Sequence, residues 1–319
     1  MNCQQNEELI LIDINAISTP YFCFISAPIR ASLTDIPPNA TWSKNGITVA
    51  GGNGYGNGTN QVYYPLGLYI DDDQTIYVAD QRNHRIVEWK PGATNGTVVA
   101  GENEQGSEAH QLYDPYDVII DKESDSLIIS TCINNRVIRW PRRNGTRGET
   151  IISNIPCNGL TMDENGFLYV VHSEKNAVRR YKRGDTQGTV VAGGNGQGNR
   201  LDQLDRPYYV FVDQDHSVYL SDLGNHRIVK WDAGAKKIIV VAGDHGAGNS
   251  FTQLNRPYGV VVDQLGTVYV ADAENHRIMR WPKGAAKGSV IIGGNGQGEQ
   301  SNQLNYPFGL SFDRQRLHK

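Results

Sequence analysis

Most of this 319-residue chain is one short unit written out repeatedly. Six prolines, Pro65, Pro115, Pro156, Pro207, Pro257 and Pro307, each precede a run rich in β-branched residues, at spacings of 50, 41, 51, 50 and 50. A period of this size makes each unit one supersecondary element that buries its apolar face only against its neighbours. The chain must therefore stack into an array or close into a ring.

The most regular copy runs from Arg256-Pro257-Tyr258-Gly259-Val260-Val261-Val262-Asp263 through Thr267-Val268-Tyr269-Val270-Ala271-Asp272 and Asn275-His276-Arg277-Ile278-Met279-Arg280-Trp281 to Ser289-Val290-Ile291-Ile292. These are four short stretches rich in Val, Ile and Tyr, separated by Asp, Asn and Gly that set turns, and no segment carries a 3.6-residue apolar period. Four antiparallel strands, labelled a to d, in roughly 50 residues make a propeller blade. The expected fold is all-β, a six-bladed propeller occupying residues 42–313 in repeats of about 47–97, 98–148, 149–188, 189–238, 239–288 and a partial 289–319. Strand a occurs six times but strands b and c only five, so blade 6 is expected to be incomplete and closed by a d strand from residues 47–50. The rival assignment uses residues 9–14 and 21–26, within the 1–41 extension, as its b and c strands. The tail, 314–319, lacks the repeat's marks and reads as the end of a truncated or mis-spliced product.

A formal net charge of −4 gives no electrostatic footprint for nucleic acid. No apolar run reaches the roughly 18 residues that would span a bilayer. The first residues lack the basic start of a secretory signal. Against that, Asn39, Asn57, Asn95 and Asn144 fit the N-glycosylation pattern, and Cys132 and Cys157 fall on neighbouring points of one face. They would bridge in an oxidising compartment and otherwise remain free thiols. The compartment is extracellular if a signal precedes this chain, and cytoplasmic otherwise.

Three triplets, Asn83-His84-Arg85, Asn225-His226-Arg227 and Asn275-His276-Arg277, occur together with Pro-x-Gly before strand a (Pro65 to Gly67, Pro257 to Gly259, Pro307 to Gly309) and Tyr-Val-Ala-Asp closing strand b (Tyr77 to Asp80, Tyr269 to Asp272). In these marks the chain resembles the NHL family. The resemblance implies a β-propeller, commonly six-bladed, used mostly as an interaction platform. Some relatives bind RNA, and the similar peptide-amidating lyases use zinc. Ubiquitin-ligase relatives act through a RING domain that this sequence lacks.

Residues that recur around a ring are read first as structure. Asp80, Asp222 and Asp272 stand five positions before Arg85, Arg227 and Arg277, so each pair is expected to meet across the b to c turn, with Asn83, Asn225 and Asn275 capping it. His84, His226 and His276 are expected to pack beside an adjacent blade, because a metal site needs several ligands converging on one point. The Gly-rich loops at Gly51 and Gly193 lack the following helix and the Lys-Ser or Lys-Thr of a phosphate-binding loop. No catalytic, cofactor or metal residue is assigned, and the chain is expected not to be an enzyme.

Binding is expected where the repeats differ. After the anchoring proline stand Leu66, Tyr116, Cys157, Tyr208, Tyr258 and Phe308, at the channel mouth; before it stand Tyr64, Asp114, Ile155, Arg206, Arg256 and Tyr306. Aromatics with arginine suit a protein interface. Tyr64, Tyr116, Arg206, Tyr208, Arg256, Tyr258, Tyr306 and Phe308 are therefore the candidates for docking a protein or peptide. The alternative is that the rings merely pack the rim. Blade 3 is irregular: its glycine loop is missing, and His172 and Ala177 replace the Asp and Arg. His172 joins the candidates, and the shortened loop predicts a notch between Tyr116 and Tyr208. The expected function is a noncatalytic, monomeric scaffold binding a protein or peptide on the loop face.

Overall fold

A computed structural model describes residues 9–13, 22–23, 36, 42–102 and 104–312. Alternation of β-branched residues with turn signals produces five four-stranded antiparallel sheets, each ordered a-b-c-d. Blade 1 comprises Pro65–Ile70, Ile76–Asp80, Arg85–Trp89 and Thr97–Gly101. Blade 2 comprises Pro115–Asp121, Ser126–Thr131, Arg136–Pro141 and Glu149–Ser153. Blade 3 comprises Cys157–Met162, Leu168–His172, Ala177–Tyr181 and Thr189–Gly193. Blade 4 comprises Pro207–Val212, Val218–Asp222, Arg227–Trp231 and Ile239–Gly243, and blade 5 Pro257–Val262, Val268–Asp272, Arg277–Trp281 and Ser289–Gly293.

Among the described residues there are five four-stranded blades, not the six blades expected. The sixth sheet has three strands, in the order Phe22–Cys23, Leu9–Asp13, Pro307–Phe312. Its a and b strands keep the repeat's register, with Asp13 opposite Pro307 as Asp272 is opposite Pro257. The rival assignment of the N-terminal segments is the one the backbone adopts, whereas residues 47–50 form no strand. They nevertheless sit where a d strand would. Gly46 N–H donates to Ser301 O at 2.7 Å, as Gly96 does to Thr59 O and Gly288 to Phe251 O. Ala50 packs with Val62 as Ala100 packs with Leu112. The expected end of the sixth a strand at Asp313, the tail 314–319 and Asn39 lie outside the described residues.

The six a strands touch one another in sequence, and the last returns to the first, so they line a ring. The third residue of the Pro-x-Gly mark makes this approach possible. A Cβ on Gly67 would lie 2.5 Å from Asp117 Cα, and one on Gly259 would lie 2.4 Å from Phe308 O. In blade 3 the register places Cys157, not Pro156, in the anchoring position, since Cys157 pairs with His172 as Pro257 pairs with Asp272. Asn158 and Gly159 therefore take the places of Tyr258 and Gly259, which moves Cys157 off the channel mouth.

Apolar clusters bridge successive blades, and aromatic residues carry several of these junctions. Tyr77 shares a cluster with Trp140, Tyr169 with Trp231 and Tyr219 with Trp281. Burying rings of this size supplies much of the stability of such a ring of sheets. Replacing Gly259 by Ala should lower unfolding stability by about 2 kcal/mol, because main chain at Phe308 and Leu310 has to move to admit one methyl group. Urea denaturation checks this, and an unchanged midpoint would show that the ring is looser than described.

Candidate functional site

The b to c turns and d to a loops share one face, and a single buried carboxylate organises both. In blade 1, Asp80 Oδ2 accepts from Asn83 Nδ2 and from Arg85 Nε, each at 2.8 Å, while its Oδ1 accepts the Tyr63 N–H at 2.6 Å. Arg85 then spends its remaining donors on the loops: Nη1 on Asn57 O and Glu102 Oε1, Nη2 on Gly58 O and Gln61 O. Asp80 and Arg85 are almost wholly buried. Burial pushes the Asp80 carboxyl above the ordinary range, and the hydrogen bonds from Asn83, Tyr63 and Arg85 oppose that rise. Asp222-Asn225-Arg227 and Asp272-Asn275-Arg277 repeat the arrangement. The expected pairing across the turn is thus found in all three blades, and it also clamps the loop leading into its own blade.

Blade 2 shows what the clamp looks like without its carboxylate. Thr131 stands opposite Arg136, where the other blades pair Asp with Arg. Arg136 still donates to Ser107 O and Gln111 O, but its buried Nε has no partner. Sequence reasoning overlooked this, although Thr131 in the place of Asp was there to read. Loss of the pair in blade 3 involves both residues, Ala177 and a mostly buried His172 whose Nδ1 is likewise unpartnered. His172 is therefore not part of a free docking surface.

The histidine joins blades. A 3₁₀ turn ends on each in the left-handed region, with φ of 53° at His84, 55° at His226 and 50° at His276. Its Nδ1 accepts the backbone N–H of the pre-proline residue of the next blade: Asp114 at 3.2 Å, Arg256 at 3.1 Å and Tyr306 at 3.1 Å. In blade 3, Asn176 Oδ1 does the same for Arg206 at 2.8 Å. The residues so held, with Tyr64, all have φ near 50°, a conformation costly for residues with a side chain and opposed to the usual preference before proline. Burial lowers the pKa of His84, His226 and His276; Arg256 and Arg206 add to this at His226. His84 alone has a carboxylate within reach, Asp114 Oδ1 at 3.2 Å.

Inside this frame the candidate aromatics converge. Centroids of Tyr116 and Tyr208 lie 6.0 Å apart, Tyr208 and Tyr258 4.8 Å, and Tyr258 and Phe308 4.0 Å. Tyr116 of blade 2 thus meets Tyr208 of blade 4 across the short blade 3 loop, and the predicted notch between them is closed. Asn158, small and buried, donates to Pro207 O beneath. Arg206 and Arg256 are exposed at the fringe, and Arg256 pairs with Glu274. Tyr64 stands apart with Tyr55 and Tyr63, its ring 5.8 Å from the Arg82 guanidinium. Tyr306 packs edge-on against His276.

Two channel residues escaped sequence reasoning, although departure from Pro-x-Gly marks both. Tyr209 is buried and its hydroxyl donates to Leu66 O at 2.7 Å, spanning the ring from blade 4 to blade 1. Asp117 accepts the N–H of Leu160 and of Val118, and burial pushes its carboxyl up to about 7. Each is flanked by the glycines of neighbouring blades.

Cys132 and Cys157 are free thiols, so the suggested bridge is not formed; Cys157 is fully buried and contacts Arg136 O at 3.5 Å. Asn57, Asn95 and Asn144 are exposed. Among the described residues no group of three or more His, Cys, Asp and Glu side chains is placed to hold a metal, and no helix is long and apolar enough to cross a membrane.

The NHL repeat family model matches residues 62–89 and 254–280, the a to c portions of blades 1 and 5. No curated protein matches the sequence. Among solved structures, a protein of unknown function from Bacteroides thetaiotaomicron is similar over 95% of this chain and 84% of its own, with a TM-score of 0.62 at 13% identity. A chain in a nidogen/laminin complex matches over 94% and 96%, with a TM-score of 0.59 at 13% identity. An auxiliary nutrient binding protein from Bacteroides thetaiotaomicron matches over 79% of this chain, which spans only 64% of that protein, with a TM-score of 0.60 at 17% identity. At these identities the likeness is one of fold.

Thr131→Asp should supply the carboxylate that Arg136 lacks and raise stability by about 1 to 2 kcal/mol, read as a higher thermal midpoint; a lower midpoint would count against the clamp as a stabilising device. The histidines predict a pH effect. Their folded pKa values lie below the ordinary one, so between the two the unfolded chain binds more protons. Stability is complete above about pH 6.5 and falls as the pH drops through that value. The double variant His226→Asn, His276→Asn copies Asn176, whose acceptor does not titrate. Its stability should vary less between pH 7 and 5 than that of the parent in paired denaturation curves.

Proposed function

Since the chain is an NHL-repeat protein, we propose that it is a noncatalytic scaffold that docks a protein or peptide on its loop face. One observation carries this reading: rings from four separate blade positions, Tyr116, Tyr208, Tyr258 and Phe308, form one continuous half-buried aromatic run beside the exposed Arg206 and Arg256. Large rings with few rotatable bonds, fringed by guanidinium groups, give contact area at low entropic cost. Turns held by buried carboxylates support the reading, because a surface already fixed in shape loses little freedom on binding. The similar chain solved in a nidogen/laminin complex shares the fold, and a protein partner for this chain is our inference. We read the three-stranded sheet, with residues 46–50 beside it, as the sixth blade of the ring that carries this face.

Peptides selected from a random library against the purified protein provide the test. Arg206→Glu with Arg256→Glu, both exposed, should leave the thermal midpoint unchanged and weaken the selected peptides by about tenfold or more. Peptides that bind the double variant as tightly as the parent would place docking elsewhere, and zinc at one equivalent per chain in the purified protein would favour a metal-dependent enzyme instead.

A further inference from the structure

Successive blades are tied by one repeated link, and the junction from blade 2 to blade 3 cannot make it. At four junctions an acceptor at the end of the b to c turn, His84, Asn176, His226 or His276, takes the N–H of the residue before the anchoring position of the next blade. In blade 2 that place holds Asn135, with φ of 50° like the histidines. The residue it would meet is Pro156, because Cys157 holds the anchoring position, and proline has no N–H to give. Neither blade offers a clamp in compensation: Thr131 replaces the carboxylate in blade 2, and His172 with Ala177 replaces the pair in blade 3.

Two thiols stand at this gap. Cys132 opens the b to c turn of blade 2 and is partly exposed, whereas Cys157 begins strand a of blade 3 and is fully buried. The Cys157 thiol donates to Arg136 O at 3.5 Å, the same carbonyl that the Thr131 hydroxyl reaches at 3.2 Å, so it sits inside the turn that Cys132 begins. From the other side, the Cys132 sulfur lies against the Cys157 N–H and the Ser173 hydroxyl. Burial raises the pKa of the Tyr116 and Tyr208 hydroxyls and a charge on Cys132 adds to the rise, which places this thiol beside the aromatic run.

We propose that Cys132 and Cys157 are a site of thiol–disulfide exchange, and that the bridge they form takes the place of the missing link between blades 2 and 3. The co-reactant is the disulfide of a small thiol. The Cys132 thiol gives up its proton and attacks one sulfur of that disulfide, and the other sulfur leaves as a thiol. The Cys157 sulfur then loses its proton, attacks Cys132 in the mixed disulfide and expels the second thiol. Two electrons and two protons pass from the protein to the reagent, and excess thiol reverses the exchange. Burial raises the pKa of both cysteines, so the first step is slow at neutral pH and falls to Cys132, the one a reagent can reach. The bridge stands whether or not the loop face docks a partner.

Incubation of the purified protein with oxidised glutathione, followed by tryptic digestion without reductant, reads the bridge directly, because cleavage after Arg136 and Arg147 puts the two cysteines on separate peptides. The Cys132 and Cys157 peptides should be recovered joined, and should separate on adding dithiothreitol. In the Cys157→Ser variant Cys132 should carry glutathione, and in the Cys132→Ser variant Cys157 should stay free. The oxidised parent should melt a few degrees above the reduced parent, a gain that Cys157→Ser should lack. Free thiols at both positions after oxidation, glutathione on both without a joined peptide, or Cys132 joined instead to Cys3 or Cys23 would each overturn the exchange site. A joined pair with an unchanged or lower midpoint overturns the bridge as a replacement for the link.

Discussion

Everything on the loop face depends on a carboxylate buried at the end of strand b. Asp80, Asp222 and Asp272 each hold a backbone N–H from the incoming loop, a turn asparagine and an arginine whose other nitrogens reach three or four further loop groups. A buried charge is tolerated only when paired and fully hydrogen-bonded, which is why the loop must close down on the turn. The histidine that follows then fixes the first residues of the next blade in a left-handed conformation they would not choose. Local turn chemistry is thereby converted into a fixed angle between blades.

The period, the strand content and the pairing of Asp with Arg were legible in the sequence because each rests on local patterns repeated several times. The histidine's place beside an adjacent blade was legible too, but its partner was not: the acceptor geometry joins residues about 30 positions apart, and only the ring brings them together. The sixth sheet was misjudged for a related reason. Residues 9–13 and 22–23 lack most of the repeat's marks, and what places them is backbone pairing, of 9–13 with Pro307–Phe312 and of 22–23 with 9–13, which sequence motifs do not encode. In blade 3 the proline itself misled. A one-residue displacement put Cys157 where a proline was expected and took it from the channel mouth.

What the repeats share builds the frame, and what they vary builds its surfaces. Asp117 and Tyr209 replace glycine between glycine neighbours and fill the channel. Ring-bearing residues after the proline gather over that plug, and Asn158 at the equivalent place in blade 3 lets Tyr116 and Tyr208 meet. A ring assembled from near-identical units tolerates such departures because each is confined to one or two contacts between neighbours.

Native-state hydrogen exchange tests the clamp most directly. The amides of Tyr63, Asp205 and Asn255 donate to a buried carboxylate, whereas Tyr113, their counterpart in blade 2, faces a turn with Thr131 in that place. If the carboxylate organises the loop face, the first three should exchange only through large-scale opening and Tyr113 should exchange much faster by local fluctuation. Equal protection at all four amides would contradict the account.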